Sequence, residues 1–506
     1  MSRADSMPVS SSEEELQRFG YRQEFRRDFK RFTSFAIVFS FISVTTGIFA
    51  TYGSVLNWGG PLGIWTWPIS VLGQGLVALV FAALAARIPL AGYSYQWASR
   101  LATPMIGWFL GWVSFTQLMV ALVSVDYSIA QTVLPSLLHY NETPGNAWLI
   151  TTGVIMVQMV LILFSTFWTT RINNIAVGTE VIGLVGLTVL LVCVGALRGV
   201  LHPDHLFSMG AIPASGYFSL GTFTSVGPFV RSFLLGAYAI VGFEAAASMS
   251  EETENEKRVV PFNTWSSVLL VGIVGMAFLI ALNLASGDVQ ALTGSATPIA
   301  DIVTQTLHPV VGSFFLVVVA FSMFACGLII FVATTRLVWA MSRDRRFPGY
   351  QIFRRVNKRT NTPLGATVLC GIVLVVILAG FANQTTALQN LFSTAAILAV
   401  LIYLATVILY ACTRHKFPHR EHGFHLGPFE WPVVVLALVW LVFELSIFRD
   451  ATFTTPWLYI LLMFGIGLLY FLFMFLTRRD VLKALPLETE REVSATQPEG
   501  QSDKRT

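Results

Sequence analysis

Two apolar stretches share an arrangement that a helix does not need merely to cross a membrane. One is "SVTTGIFATYG" (Ser43–Gly53) and the other is "YAIVGFEAAAS" (Tyr238–Ser248). Each has a glycine mid-stretch (Gly47, Gly242), then a bulky apolar residue (Ile48, Phe243), one intervening residue and an alanine. A helix broken inside a bilayer exposes N–H groups and carbonyls, which are tolerated only where they line a cavity or meet a ligand. The N–H ends carry partial positive charge and suit a carboxylate. The carbonyl ends suit an ammonium. A pair of such breaks is a site for a small zwitterion or amine. The bland reading of both glycines is close helix packing. Their matching positions, and Glu244 beside Gly242, favour the site. Thr45, Thr46, Gly47 and Ile48 in the first stretch, and Gly242, Phe243 and Glu244 in the second, are the candidate binding residues.

The elements that must hold these residues follow from composition. The chain has 506 residues, 55% hydrophobic and only 12% charged, whereas soluble domains carry about 25% charged residues. A bilayer core needs roughly 20 apolar residues per helix. Twelve runs qualify: about 34–56, 62–85, 105–135, 147–168, 174–198, 232–250, 264–286, 312–341, 364–382, 386–411, 431–448 and 455–476. They are numbered here as spans one to twelve. The two stretches fall in spans one and six, five spans apart, as in an inverted repeat whose first helices are broken at mid-membrane.

Lys and Arg set the expected orientation. Arg3, Arg18, Arg22, Arg26, Arg27, Lys30 and Arg31 precede span one. Arg343, Arg345, Arg346, Arg354, Arg355, Lys358 and Arg359 lie between spans eight and nine. Arg414, Lys416 and Arg420 follow span ten, and Arg478, Arg479 and Lys483 follow span twelve. Both termini are expected in the cytoplasm of a multi-pass cell-membrane protein. The division is a cytoplasmic segment 1–33, a core 34–411, a further pair of spans 412–477 and a disordered tail 478–506. The first 30 residues have no apolar core and so no signal peptide. The net charge of +4 is not gathered in a patch, which argues against nucleic acid.

Other polar residues stand out against this background. A charged, unpaired Glu244 at mid-membrane would cost several kcal/mol, so a proton, a bound ammonium or N–H groups must compensate it. Asp126 in span three either faces inward toward a substrate amine or sits near the outer interface. Glu180 in span five either relays a proton or is anchored by a basic neighbour. Glu251 and Glu252 are positioned to pair with Arg336 or Arg343 and close an inner gate, or else to lie in a solvated loop. The spacing of His415, His419, His422 and His425 is like that of metal ligands, but Pro418, Gly423 and Pro428 rule out one continuous helix, and no metal or cofactor is expected. Cys193, Cys326, Cys370 and Cys412 read as small packing residues. Asn141 and Asn383 head chance sequons. No HExxH, GxSxG or Walker A pattern suggests an enzyme.

Several motifs together resemble the amino acid–polyamine–organocation superfamily, and within it the amino acid/choline transporter family that includes GABA permeases. They are "LQRFGYRQEFRRDF" (Leu16–Phe29), "WGGPLGIWTWPIS" (Trp58–Ser70), "ARIPLAGYSYQWASRLA" (Ala86–Ala102), "GFEAAASMSEET" (Gly242–Thr253) and "TTRLVWAMSRDRRFPG" (Thr334–Gly349). The resemblance covers about residues 15–480 and implies an all-α LeuT-type fold. In that fold spans 1–5 and 6–10 are inverted repeats, spans one and six are discontinuous, and two helices are added. It implies alternating-access transport of an amino acid or related amine, with a coupling ion for which the proton is the candidate. It also implies that Tyr238 lids the substrate and that Glu244 links the pocket to a proton- or substrate-sensitive gate. The alternatives are a carrier of choline, polyamine or another organic cation, and a non-transporting sensor. The family often has aspartate at the position of Glu244. Span five lacks the lysine that some relatives carry.

Overall fold

The computed structural model describes residues 16–483 except 17, 18, 22, 26, 142, 358, 361, 382, 383, 385 and 417–422. The expectations for Arg3, Arg18, Arg22, Arg26, Lys358, Arg420, Asn383, His419, His422 and the far tail therefore lie outside the described residues. Nearly all of the rest is helix, and the described residues contain no strand longer than an isolated bridge.

Among the described residues, eleven helical stretches are long and apolar enough to cross a membrane. They are Arg31–Gly59, Pro61–Arg87, Pro104–Leu138, Pro144–Phe164, Phe167–Arg198, Glu256–Ala285, Pro309–Arg343, Leu364–Phe381, Ala387–Thr413, Gly427–Ile447 and Ala451–Thr477. Span six is missing from this set because it is in pieces: Pro228–Arg231, Leu234–Ala239, Ala245–Ser248 and a 3-10 turn Ser250–Glu252. Span five starts near 166 and not 174. Ser165 ends span four and its hydroxyl accepts from the Phe167 N–H at 3.1 Å, which caps the next helix.

Span one is also divided, into Arg31–Ile42 and Val44–Gly59. The break lies at Ser43, with φ 36°, and not at Gly47. Serine makes it by local hydrogen bonding. Its N–H reaches the Phe39 carbonyl at 2.9 Å, and its hydroxyl accepts from the Thr46 N–H at 3.3 Å to cap the second half. Gly47 lies inside a regular helix, where a Cβ would overlap Ala239. Its role is the close approach of span one to span six.

In span six the break runs from Ile240 to Glu244 and does contain its glycine. Gly242 has φ +88°, a conformation open to glycine at little cost. A Cβ there would run into the ring of Phe41, one residue before the end of the first helix of span one. The two breaks are therefore neighbours. The first half of span one meets the second half of span six, and the second half of span one meets the first half of span six.

One face of the molecule carries both described chain ends. Tyr21 donates to Asp344 at 2.9 Å, and Arg346 donates to the Val481 carbonyl at 3.1 Å. On the opposite face a long connection between spans five and six covers the start of span two. Tyr217 donates to the Gly59 carbonyl at 2.5 Å, and the Trp65 indole donates to the Leu206 carbonyl at 2.8 Å. Asp450 ties the end of this connection down, accepting from the Val226 N–H and from Arg231, both at 2.9 Å.

Gly242→Ala is expected to destabilise the protein by about 1–3 kcal/mol, from the left-handed backbone alone. Phe41 displacement adds to this. A lower melting midpoint of the purified variant in detergent checks it, and an unchanged midpoint contradicts the described break.

Candidate functional site

At the span-one break a carboxylate takes the place of helix continuity. Glu180, on span five and fully buried, accepts from the Thr45 hydroxyl at 2.7 Å, the Ser43 hydroxyl at 3.1 Å and the Thr45 N–H at 3.3 Å. Its partners are hydroxyls and a backbone donor, so the expectation of a basic anchor is corrected. Thr46 turns its hydroxyl to that of Ser43 at 2.7 Å. The Cys326 thiol of span eight approaches the Phe41 carbonyl at 3.6 Å. The interruption at Ser43 leaves the Val44 N–H and the Ser40 and Ile42 carbonyls without their helical partners.

At the span-six break one tyrosine does two jobs. Tyr403, on span ten, donates to Glu244 at 2.7 Å and accepts from the Gly242 N–H at 2.9 Å. Buried, it ties the middle of the break at Gly242 to its end at Glu244. Phe243 packs on Tyr403 and on Phe81, at 5.0 and 5.6 Å between ring centres, and Phe81 meets Tyr403 at 5.1 Å. The Val241 and Phe243 N–H groups have no partner among the described residues. Glu244 thus lies at the start of the next helical turn, facing span ten.

The remaining candidates are placed less centrally. Tyr238 lies one residue before the end of its helix, against Ser124 of span three at 2.8 Å and the Phe392 ring of span ten at 5.5 Å. Ile48 is buried in apolar packing. Asp126 is fully buried, and it turns toward Gln158 of span four at 2.8 Å and abuts Gly327 of span eight. One of its oxygens has no partner among the described residues.

On the face carrying the chain ends, two acids and two bases are brought together. Arg336 meets Glu252 at 2.7 Å, with both side chains nearly devoid of solvent, and Arg343 meets Glu251 at 3.0 Å. Arg27 adds a pair with Glu256 at 2.8 Å. The N-terminal stretch lies over them as a strap. Phe29 pairs with Thr253 in a parallel bridge, Phe25 lies under the Arg336 guanidinium at 4.6 Å, and Tyr21 lies under that of Arg343 at 3.7 Å. A cavity of about 630 Å³ opens beside the strap, lined among others by Asp28, Thr33, Arg171, Asn174 and Glu252.

Sequence reasoning passed over several of these residues. Tyr403 looks like an ordinary span tyrosine, and only its distant partner gives it a role. Glu444 of span eleven accepts from Gln74 of span two at 2.8 Å, fully buried. Glu430 pairs with Arg87 at 3.0 Å and Arg414 at 3.4 Å. A carboxylate inside an apolar run is the signal that marked Glu180 and Asp126, and it could have found Glu444 as well.

Comparison with known proteins agrees with this architecture. The family described as amino acid permease matches residues 29–477. The amino-acid permease BAT1 of Arabidopsis thaliana is 26% identical, with 86% of this chain and 87% of that protein covered. Amino-acid permease 2 of Neurospora crassa is 25% identical over 88% of this chain and 83% of its own length. The GABA-specific permease of Saccharomyces cerevisiae is 24% identical over 83% and 75%.

Removing one member of the buried Arg336–Glu252 pair strands the other charge. Arg336→Met and Glu252→Gln are each expected to destabilise the protein by about 3–5 kcal/mol, and the double variant by clearly less than the sum. Melting of the four proteins in detergent checks it; strict additivity would contradict a direct pair.

Proposed function

The chain belongs to the amino acid permease family of the amino acid–polyamine–organocation superfamily, and from that premise we propose that it is a secondary active transporter which moves a small amino acid by alternating access. It is a multi-pass membrane protein and a permease. The observation that carries the proposal is the pair of adjacent helix breaks with backbone groups left unpaired.

In this reading the substrate carboxylate meets the N–H group of Val44, at a helix start where partial positive charge gathers, and those of Val241 and Phe243 within the span-six break. The ammonium meets the Ser40 and Ile42 carbonyls. Thr45, Thr46, Gly242 and Phe243 shape the pocket, and Tyr238 covers it. Gly47 and Ile48 hold the two spans together behind it. Asp126 stands one shell further out. Spans one to five and six to ten act as inverted repeats, with the last two spans as additions. The Glu251–Arg343 and Glu252–Arg336 pairs form with the inner gate closed and separate when it opens. The face with the chain ends is cytoplasmic, in keeping with its basic residues.

The coupling ion in this reading is a proton, held by Glu180 at the span-one break or by Glu244 at the span-six break. Neither carboxylate has a basic partner among the described residues. An organic cation ranks second. The rings of Phe81, Phe243 and Tyr403 contact one another and do not stand apart as a cage for a quaternary ammonium.

Uptake of labelled amino acids into proteoliposomes tests the proposal. Glu244→Gln is expected to lose most uptake while inserting normally; wild-type uptake would remove Glu244 from the mechanism. Glu180→Gln is expected to keep exchange of labelled for unlabelled substrate but to lose its response to an imposed pH gradient. An unchanged response would take coupling away from Glu180.

A further inference from the structure

A cluster unrelated to the helix breaks sits on the face opposite the chain ends. The connection after span five carries His202, Asp204 and His205 in and beside the 3-10 turn Pro203–Leu206. In such a turn residues three apart lie over one another, and the two imidazoles stack at 4.8 Å between centres, 21° from parallel. One ligand atom from each of the three side chains lies within 4.8 Å of the other two.

The protonation of His205 follows from its neighbour. Its Nδ1 lies 2.9 Å from the Ser286 hydroxyl. That hydroxyl has a single proton and donates it to the Asn283 carbonyl at 2.7 Å. With that proton on the Asn283 carbonyl, the hydroxyl accepts from His205, which places a hydrogen on Nδ1 and suits Nε2 to a metal. The Asp204 carboxylate is 4.0 Å from that Nε2. An outer hydrogen bond that fixes the tautomer and frees the other nitrogen is how proteins orient metal-binding histidines.

The backbone beneath is held on both sides. The His202 N–H donates to the Leu284 carbonyl at 2.8 Å, and Trp65 holds the Leu206 carbonyl at 2.8 Å. Metal bonds of about 2 Å would draw the ligand atoms closer together than they stand here. Asp204, with 77% of its side chain exposed, is free to rotate inward.

We propose that His202, Asp204 and His205 bind a divalent transition metal of the zinc, copper or nickel type, with water completing the shell. Two imidazoles and one carboxylate suit those ions. Calcium and magnesium take oxygen ligands in larger number. A bound metal would stiffen the connection that covers the outer ends of spans one and two.

The test uses the full chain in detergent, stripped with EDTA and titrated with zinc chloride by calorimetry. The expected result is one site, weakened about tenfold or more in a His202→Gln/His205→Gln variant and about tenfold in Ser286→Ala, which releases the tautomer. Zinc should also raise the melting midpoint of the wild type and not of the double histidine variant. A Cys193→Ser/Cys412→Ser/His415→Gln/His425→Gln variant should bind as the wild type does. No zinc uptake by the wild type would overturn the proposal. So would undiminished binding by the double histidine and Ser286→Ala variants, or loss of the site in the four-residue variant.

Discussion

A helix that stops inside an apolar slab strands backbone donors and acceptors where no solvent can satisfy them. The centre of this protein is organised around that constraint. Ser43 caps one restart with its own hydroxyl, Glu180 reaches across from span five to hold the same turn, and Tyr403 ties Gly242 to Glu244 within the other break. These contacts leave some groups unmet. The Val241 and Phe243 N–H groups have no partner among the described residues, and the Val44 N–H and the Ser40 and Ile42 carbonyls lack their helical partners; the proposed ligand site rests on these groups. The breaks are neighbours because glycine and alanine let spans one and six approach closely, so the packing and the site have one cause.

Charge on the face carrying the chain ends answers a different need. The Arg336–Glu252 pair is nearly dry, and desolvating both ions offsets much of their attraction. Such a pair contributes little to stability over an apolar contact, but it can exist in one conformation and separate in another. The N-terminal strap makes the same point. Tyr21 and Phe25 lie under Arg343 and Arg336, so any separation of the two ion pairs would disturb the strap as well.

How much of this was legible depends on how local each interaction is. Apolar run length gave the helical membrane architecture, because one helix satisfies its own backbone. Gly242 was legible as a break because a positive φ there requires glycine. Gly47 misled for the same reason: span one breaks at Ser43 through capping, which leaves no glycine to read. The charge runs around Glu251 and Arg343 were visible as charge, but which acid meets which base is settled by the fold. Glu180 was visible as a buried carboxylate, while its partners come from a helix 135 residues earlier in the chain. Tyr403 and Glu244 are 159 residues apart, and nothing local links them. The register of spans four and five slipped because Ser165 ends a helix inside an otherwise apolar stretch.

The most direct measurement of the central claim is the melting midpoint of the purified protein against a panel of the common amino acids, GABA, choline and putrescine. A ligand that binds only the folded protein raises that midpoint. The account predicts stabilisation by one or more compounds that carry both a carboxylate and an ammonium, and none by choline or putrescine. Stabilisation by the cations alone would contradict a site built from the unpaired N–H groups of two broken helices.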